Sequence, residues 1–209
     1  MLDLTKGQFV KHVLFHPFEG FEDLRWKKGG SMNIAVVVLC LLFVQQLAYN
    51  RMYGFQYYVS YDKIFNIVPY IFQSFILFMT FVVANWAMCT LFDGEGSMKN
   101  IFIDAAYSLI PYITGSLTGT ILSHIFVEDE YIFISAIEII GTAWTVVLFL
   151  SAMKAVHQFS FSKTLALLLL TVVAMIAILF LLILLLTLFQ QVLIFIFSIY
   201  TELSYRLRV

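Results

Sequence analysis

Long apolar runs dominate the chain, and they match neither the period-two alternation of a half-buried strand nor the single stripe of a surface helix. A helix needs about 20 apolar residues to cross roughly 30 Å of hydrocarbon. Five stretches meet that length. The first covers 32–50. The second covers 66–92 and carries Pro69 in its first turns, where a missing N–H costs little. The third, 100–126, is the most polar, with Asp104, Tyr107, Ser108, Pro111 and Tyr112. The fourth covers 131–153, and the fifth starts near 164 and stays apolar to about 199. As one helix that last run would measure about 50 Å, too long for one crossing and too short for two plus a turn. Gln190 and Gln191 interrupt it, so the reading is a crossing over 164–189 and a helical extension to about 205 that leaves the membrane or bends onto its surface.

The fold class this predicts is all-α. Residues 32–209 form a polytopic membrane bundle of five transmembrane helices, and residues 1–31 form an amphipathic juxtamembrane segment. Composition strengthens the reading: of 209 residues, 62% are hydrophobic and 12% charged, and the mean hydropathy is +0.94. Soluble domains carry about 45–50% apolar and about 25% charged residues. The lipid bilayer is the natural partner, and a net charge of −1 gives no reason to expect nucleic acid. The charged N-terminal thirty residues lack the apolar core of a cleavable signal peptide, so the first span is expected to act as the insertion signal.

Charge also sets orientation. Lys6, Lys11, Arg25, Lys27, Lys28, Lys99, Lys154 and Lys163 fall on one side; Arg51, Lys63, Arg206 and Arg208 fall on the other, with the acidic turn Glu128-Asp129-Glu130. The excess places the N-terminus in the cytoplasm and the C-terminus across the cell membrane. Tyr49, Tyr53, Tyr57, Tyr58 and Tyr61 then make an aromatic belt in the first outer loop.

Before the first span, Thr5 caps a short helix with Phe9, Val10, Val13 and Leu14 on one face. Pro17 starts a second helix with Phe18, Phe21 and Leu24 on one side, and Gly29-Gly30 ends it. Such a pair lies on the cytoplasmic membrane face or packs under the bundle, as a membrane-resting collar or as a docking surface for a partner through Phe18, Phe21, Leu24 and Trp26. His12 and His16 have helical spacing, but Pro17 and the lack of a third ligand argue against a metal. Cys40 and Cys89 sit in apolar runs as free thiols without histidine partners.

Inside the membrane, ionisable groups are costly and mark functional candidates. Glu138 lies about 10 Å of helical rise below the outer surface, with His124 its nearest partner in sequence. It is either a proton or substrate site or a satisfied clamp between the third and fourth spans. Asp104, one turn into its span, also reads as an acid facing a helix N-terminus. Gly115 and Gly119, continued by Ser123, form a small-residue stripe for close helix packing, within the chain or in a homodimer. Pro111 kinks that helix. The loop Asp93-Gly94-Glu95-Gly96-Ser97 reads as a tight turn with Ser97 or a neighbour capping the third span. Met98 stands where a calcium loop needs glycine, and the loop lacks the lysine ending of a phosphate loop. No nucleophile–base pair, zincin motif or nucleotide fingerprint appears, so no enzyme, cofactor or metal is expected.

Several segments in order resemble the Yip family (Ypt/Rab-interacting-protein-like membrane proteins), in its bacterial form. They are His16-Pro17-Phe18-Glu19-Gly20-Phe21-Glu22-Asp23-Leu24, Ala84-Asn85-Trp86, Asp93-Gly94-Glu95-Gly96-Ser97, Ala106-Tyr107-Ser108-Leu109-Ile110-Pro111-Tyr112 and His157-Gln158. The resemblance implies a five-helix bundle with its termini on opposite sides. Eukaryotic relatives work with small GTPases through a long cytoplasmic region absent here, which argues against a GTPase partner. Bacterial relatives resemble accessory proteins of transport systems. The functional expectation is therefore a membrane scaffold or accessory protein that binds another membrane protein, a transporter among the candidates. The competing reading is a small permease or channel around Asn85, Asp104, Tyr107, Pro111 and Glu138, which requires those side chains to meet in one wet cavity.

Overall fold

An apolar segment in lipid must bond its own peptide groups, and the α-helix does so within one segment. A computed structural model describes residues 5–57 and 65–207, and every regular element in them is helical. Tyr58, Tyr61, Lys63 and Arg208, used above for the aromatic belt and the charge count, lie outside the described residues. In chain order come α1 (Lys6–Phe15), α2 (Pro17–Trp26), α3 (Met32–Arg51), α4 (Val68–Ile71), α5 (Leu77–Leu91), α6 (Met98–Ser108), α7 (Ile110–Leu122), α8 (Tyr131–His157) and α9 (Phe161–Leu207). A π-helical stretch, Phe72–Ile76, joins α4 to α5 into one continuous helix.

Among the described residues four helices are each long and apolar enough to cross a membrane: Met32–Arg51, Val68–Leu91, Glu128–His157 and Phe161–Arg206. The chain is thus an all-α, multi-pass membrane bundle. The third expected span folds as two helices, α6 and α7, instead of one kinked helix. The break falls at Leu109, whose N–H bonds back to Ala106 at 3.1 Å. Pro111 sits in the first turn of α7, where its fixed φ is tolerated. The backbone N–H of Tyr112 is accepted by Oγ1 of Thr145 in α8 at 2.9 Å, so the break leaves that donor satisfied. Helix α6 is the centre of the bundle: every residue from Ile101 to Ser108 is buried, with α3, α5 and α8 packed around it.

The N-terminal segment packs onto the bundle. α1 begins after Thr5, whose N–H is taken by Oε1 of Gln8 at 2.8 Å. Phe9 and Val13 are buried and Val10 and Leu14 pack against the core, as the periodicity predicts. α1 and α2 form a helical hairpin packed against α8. The indole N–H of Trp144 donates to the Leu14 carbonyl at 3.0 Å, while Arg25 reaches the carbonyls of Ala155 and Val156. Those anchors are separated by about 17 Å of rise along α8. Phe21 and Leu24 are sealed in the core, at 0% and 4% exposure. Phe18 and Trp26 remain exposed. α2 ends at Trp26, and the left-handed turn falls on Lys28, not on a glycine. Gly29 is needed for a different reason: a methyl group there would collide with the Phe9 ring.

α9 is one helix of 47 residues, about 70 Å long. It is unbroken through Gln190-Gln191. Its last buried residue is Thr171, and from Ile183 to Leu203 every residue is exposed.

Candidate functional site

At the end of the bundle where α2 finishes, three loops meet, and a guanidinium ties them together. Arg25 Nη1 donates to the carbonyls of Ala155 (2.9 Å) and Val156, at the last turn of α8, and Nη2 pairs with the Glu95 carboxylate in the α5–α6 loop. A guanidinium suits this because its planar fork reaches several acceptors at once. The Arg25 side chain is 13% exposed, so this bonding occurs largely out of water.

Directly behind it lies His157, 2% exposed. Its Nε2 is 2.9 Å from Oδ1 of Asn85 in α5. An amide oxygen only accepts, so Nε2 carries the proton and Nδ1 is the bare nitrogen. Asn85 in turn donates through Nδ2 to Oγ1 of Thr171 in α9 at 3.3 Å, and the Thr171 hydroxyl donates to the Leu167 carbonyl at 2.7 Å. A directed chain of donors thus runs from α8 through α5 into α9. The Phe159 ring stacks on the imidazole at 5.5 Å, and Lys163 covers Phe159 while donating to the Phe92 carbonyl at 2.8 Å.

The loop glycines fit this site by size. A methyl group on Gly94 would lie 2.7 Å from His157 Nδ1, and one on Gly96 would lie 2.6 Å from Cε1 of the same ring. The positive φ is on Asp93, so Gly94 and Gly96 are required for contact and not for backbone freedom. Ser97 caps α6 as its sequence position predicts, accepting from the Asn100 N–H at 3.3 Å.

The residues singled out from sequence are spread over three places. Asn85, Gly94, Glu95 and Gly96 converge on His157 and Arg25. Asp104 lines a neighbouring cavity beside α2. Tyr107, fully buried, holds the start of α3, its hydroxyl 3.1 Å from the Ser31 N–H. The other group lies toward the opposite end. Glu138 meets the Tyr53 hydroxyl at 3.5 Å, and burial together with that carboxylate pushes the Tyr53 phenol above its ordinary pKa. His124 bonds the Met52 carbonyl at 2.6 Å and not Glu138. Tyr49, Tyr53, Tyr57 and Tyr131 form a ladder of rings at 5.1–5.8 Å.

The small-residue stripe divides likewise. Gly115 faces Gly141 of α8, a methyl on Gly115 falling 3.3 Å from the Gly141 Cα, and a methyl on Gly141 would lie 2.7 Å from the Pro111 carbonyl. Gly119 makes room for the Glu138 carboxyl, 2.5 Å from where a methyl would sit. Ser123 accepts from the Gly54 N–H at 2.8 Å instead of packing helix on helix. Sequence reasoning missed Gly141, Thr145 and Thr171, and took Arg25 only as an orientation charge. It also missed the buried pair Gln45–Ser116 at 2.7 Å, which bridges α3 and α7.

Both cysteines are free, Cys89 buried and Cys40 exposed. Among the described residues no three histidine, cysteine or acidic side chains are grouped to hold a metal. No curated protein and no solved structure matches the chain. The family model described as Yip1 domain matches residues 11–185. That range runs from α1 into α9 and takes in every residue of the Arg25–His157 site, so the chain belongs to the Yip1 domain family.

Proposed function

We propose that this Yip1-domain protein is a non-catalytic membrane scaffold whose N-terminus is cytoplasmic, and that it binds another membrane protein, with a transport system as the first candidate, along α9. The observation that carries this reading is the long exposed stretch of that helix. An apolar helix of this length exceeds the hydrocarbon thickness more than twofold, and among the described residues polar groups anchor it at its start, through Thr171 and Lys163. Among the described residues the distal half has no neighbour, and it is too apolar for water, so it requires a cover. The separation of Asp104, in a cavity beside α2, from Tyr107, bonded to Ser31, and from Glu138, bonded to Tyr53, favours a scaffold over a single polar translocation site.

Photo-crosslinking in native membranes tests the reading. A crosslinking amino acid at Phe189, Val192 or Phe195 is expected to trap one recurring membrane protein, while one at buried Leu148 traps none. Adducts only to lipid, or only to a second copy of this chain, sink the proposal.

A further inference from the structure

Next to the Arg25 site, a cavity of about 360 Å³ opens between the end of α2 and the first turns of α6, within the size range of small-ligand sites. Among its lining residues are Arg25, Trp26, Lys28, Lys99, Asn100 and Asp104. Lys28 and Lys99 are exposed and make no ion pair among the described residues. Lys28 is held at φ 50°, a conformation lysine adopts at a cost and glycine adopts freely. Lys99 and Asn100 stand in the first turn of α6, the end of a helix where the dipole and the open N–H groups favour an anion. Ser97 takes the Asn100 N–H, while the Lys99 N–H has no acceptor among the described residues.

Asp104 lies about 7.5 Å of helical rise deeper than Lys99, on the membrane side of the rim. It is 2% exposed, and its carboxyl makes no hydrogen bond or ion pair among the described residues. Arg25 is already engaged by Glu95 and two carbonyls. A desolvated carboxyl with no cation bonded to it keeps its proton, so it offers no charge to a cationic ligand. It offers instead an O–H donor and a carbonyl acceptor side by side. The cavity is therefore cationic at its rim and hydrogen-bonding in its floor. The complement is an oxyanion that still carries a hydrogen: one of its oxygens accepts from the carboxyl O–H, and its own O–H donates to the carboxyl carbonyl.

We propose that this cavity binds the phosphoryl group of a soluble phosphate monoester, its oxygens between Lys28 and Lys99 and against the Asp104 carboxyl, with the rest of the ligand directed to water past Trp26. A monoester loses its second proton at a pKa of about 6, so it brings both the negative charge and the hydrogen. Sulfate brings the charge without the hydrogen. A phosphodiester, the linkage of common phospholipids, also lacks the hydrogen, and its acyl chains would have to leave through the watery mouth of the cavity. Trp26, 70% exposed at that mouth, gives the organic part of the ester a surface to rest on.

The test uses the purified full chain in detergent at about pH 6, where a monoester holds roughly half of its second proton. Calorimetry follows titration with glycerol 3-phosphate, inorganic phosphate, sulfate and dihexanoyl-phosphatidylglycerol. Saturable one-to-one binding of glycerol 3-phosphate is expected, at least tenfold tighter than sulfate or the lipid, with inorganic phosphate weaker than the ester because it lacks the organic part. Lys28→Gly removes a rim cation while relieving the backbone, so it should weaken binding severalfold without lowering the melting temperature. Asp104→Asn keeps a donor and an acceptor in the floor and should retain most of the affinity, whereas Asp104→Leu removes both and should lose tenfold or more. Lys28→Gly and Asp104→Asn keep the test decisive should Asp104→Leu fail to fold. Sulfate bound as tightly as the ester, unchanged binding in Lys28→Gly, or a tenfold gain in Asp104→Asn, the mark of a charged carboxylate repelling the anion, overturns the site. Inorganic phosphate or the lipid bound as tightly as glycerol 3-phosphate overturns the ester as its occupant.

Discussion

At the scale of single residues, the Arg25 site separates what is buried from what is wet. Glu95 is 64% exposed, so its attraction for Arg25 is screened. Exposed pairs contribute about 0–1 kcal/mol. Glu95→Gln is therefore expected to cost less than about 1 kcal/mol in a thermal or denaturant melt. Arg25→Ala also strips the two α8 carbonyls of a charged donor, and bonds to charged groups contribute about 1.5–3 kcal/mol. It should be the clearly worse variant, and equal losses would show that the carbonyl bonds matter little. The glycines offer a sharper contrast. Gly96→Ala puts a methyl 2.6 Å from the His157 ring and 2.5 Å from Val156, an overpacking expected to cost about 1–3 kcal/mol. Gly7→Ala meets nothing within 4 Å and should be neutral or gain up to about 1 kcal/mol from helix propensity. Little of this was legible beforehand. Arg25 lies 130 residues from Ala155 in sequence, and no local pattern encodes such a pair. The motif residues Asn85, Gly94, Gly96 and His157 were legible only as a family pattern, without the geometry that makes them one cluster.

At the scale of elements, hydropathy identifies the crossings well because bilayer thickness sets a length that few other structures need. It placed α3, α4–α5 and α8 within a few residues. It failed where a helix is interrupted by its surroundings. Pro111 signals trouble in the third span, yet the break falls at Leu109, because Thr145 of α8 supplies an acceptor for the Tyr112 N–H just past it. Removing that acceptor tests the account. Thr145→Val keeps shape and orphans a part-buried donor, so it should cost about 1–3 kcal/mol, whereas Thr145→Ser should be close to neutral. Matching melts for the two variants would mean the break does not depend on this bond. The hairpin α1–α2 was half legible. Its periodicity announced a buried face on each helix but not the surface that buries them, so resting on the membrane and packing on the bundle read alike in sequence.

At the scale of the whole molecule, the chain divides unevenly between a bundle centred on α6 and a helix that leaves it. The sequence showed that the last apolar run is too long for one crossing, and the glutamine pair suggested a bend. The structure keeps it one continuous helix, since two glutamines do not interrupt backbone hydrogen bonding as proline does. Because nothing beyond Leu182 is even half-buried until Ser204, the distal helix should contribute almost nothing to the stability of the bundle. A chain ending at Phe189 is thus expected to melt within about 2 °C of the full protein, a shift that corresponds to less than about 1 kcal/mol at this size. Thr171→Val is the counterpart. It leaves the whole helix in place but removes the Asn85 acceptor that closes the donor chain from His157, and should cost about 1–3 kcal/mol for the buried amide left unpaired. If the truncated chain instead loses several degrees while Thr171→Val is silent, the distal helix is being held by the bundle itself. A chain that stays folded after truncation and no longer captures its neighbour in the crosslinking experiment assigns that half of α9 to another molecule.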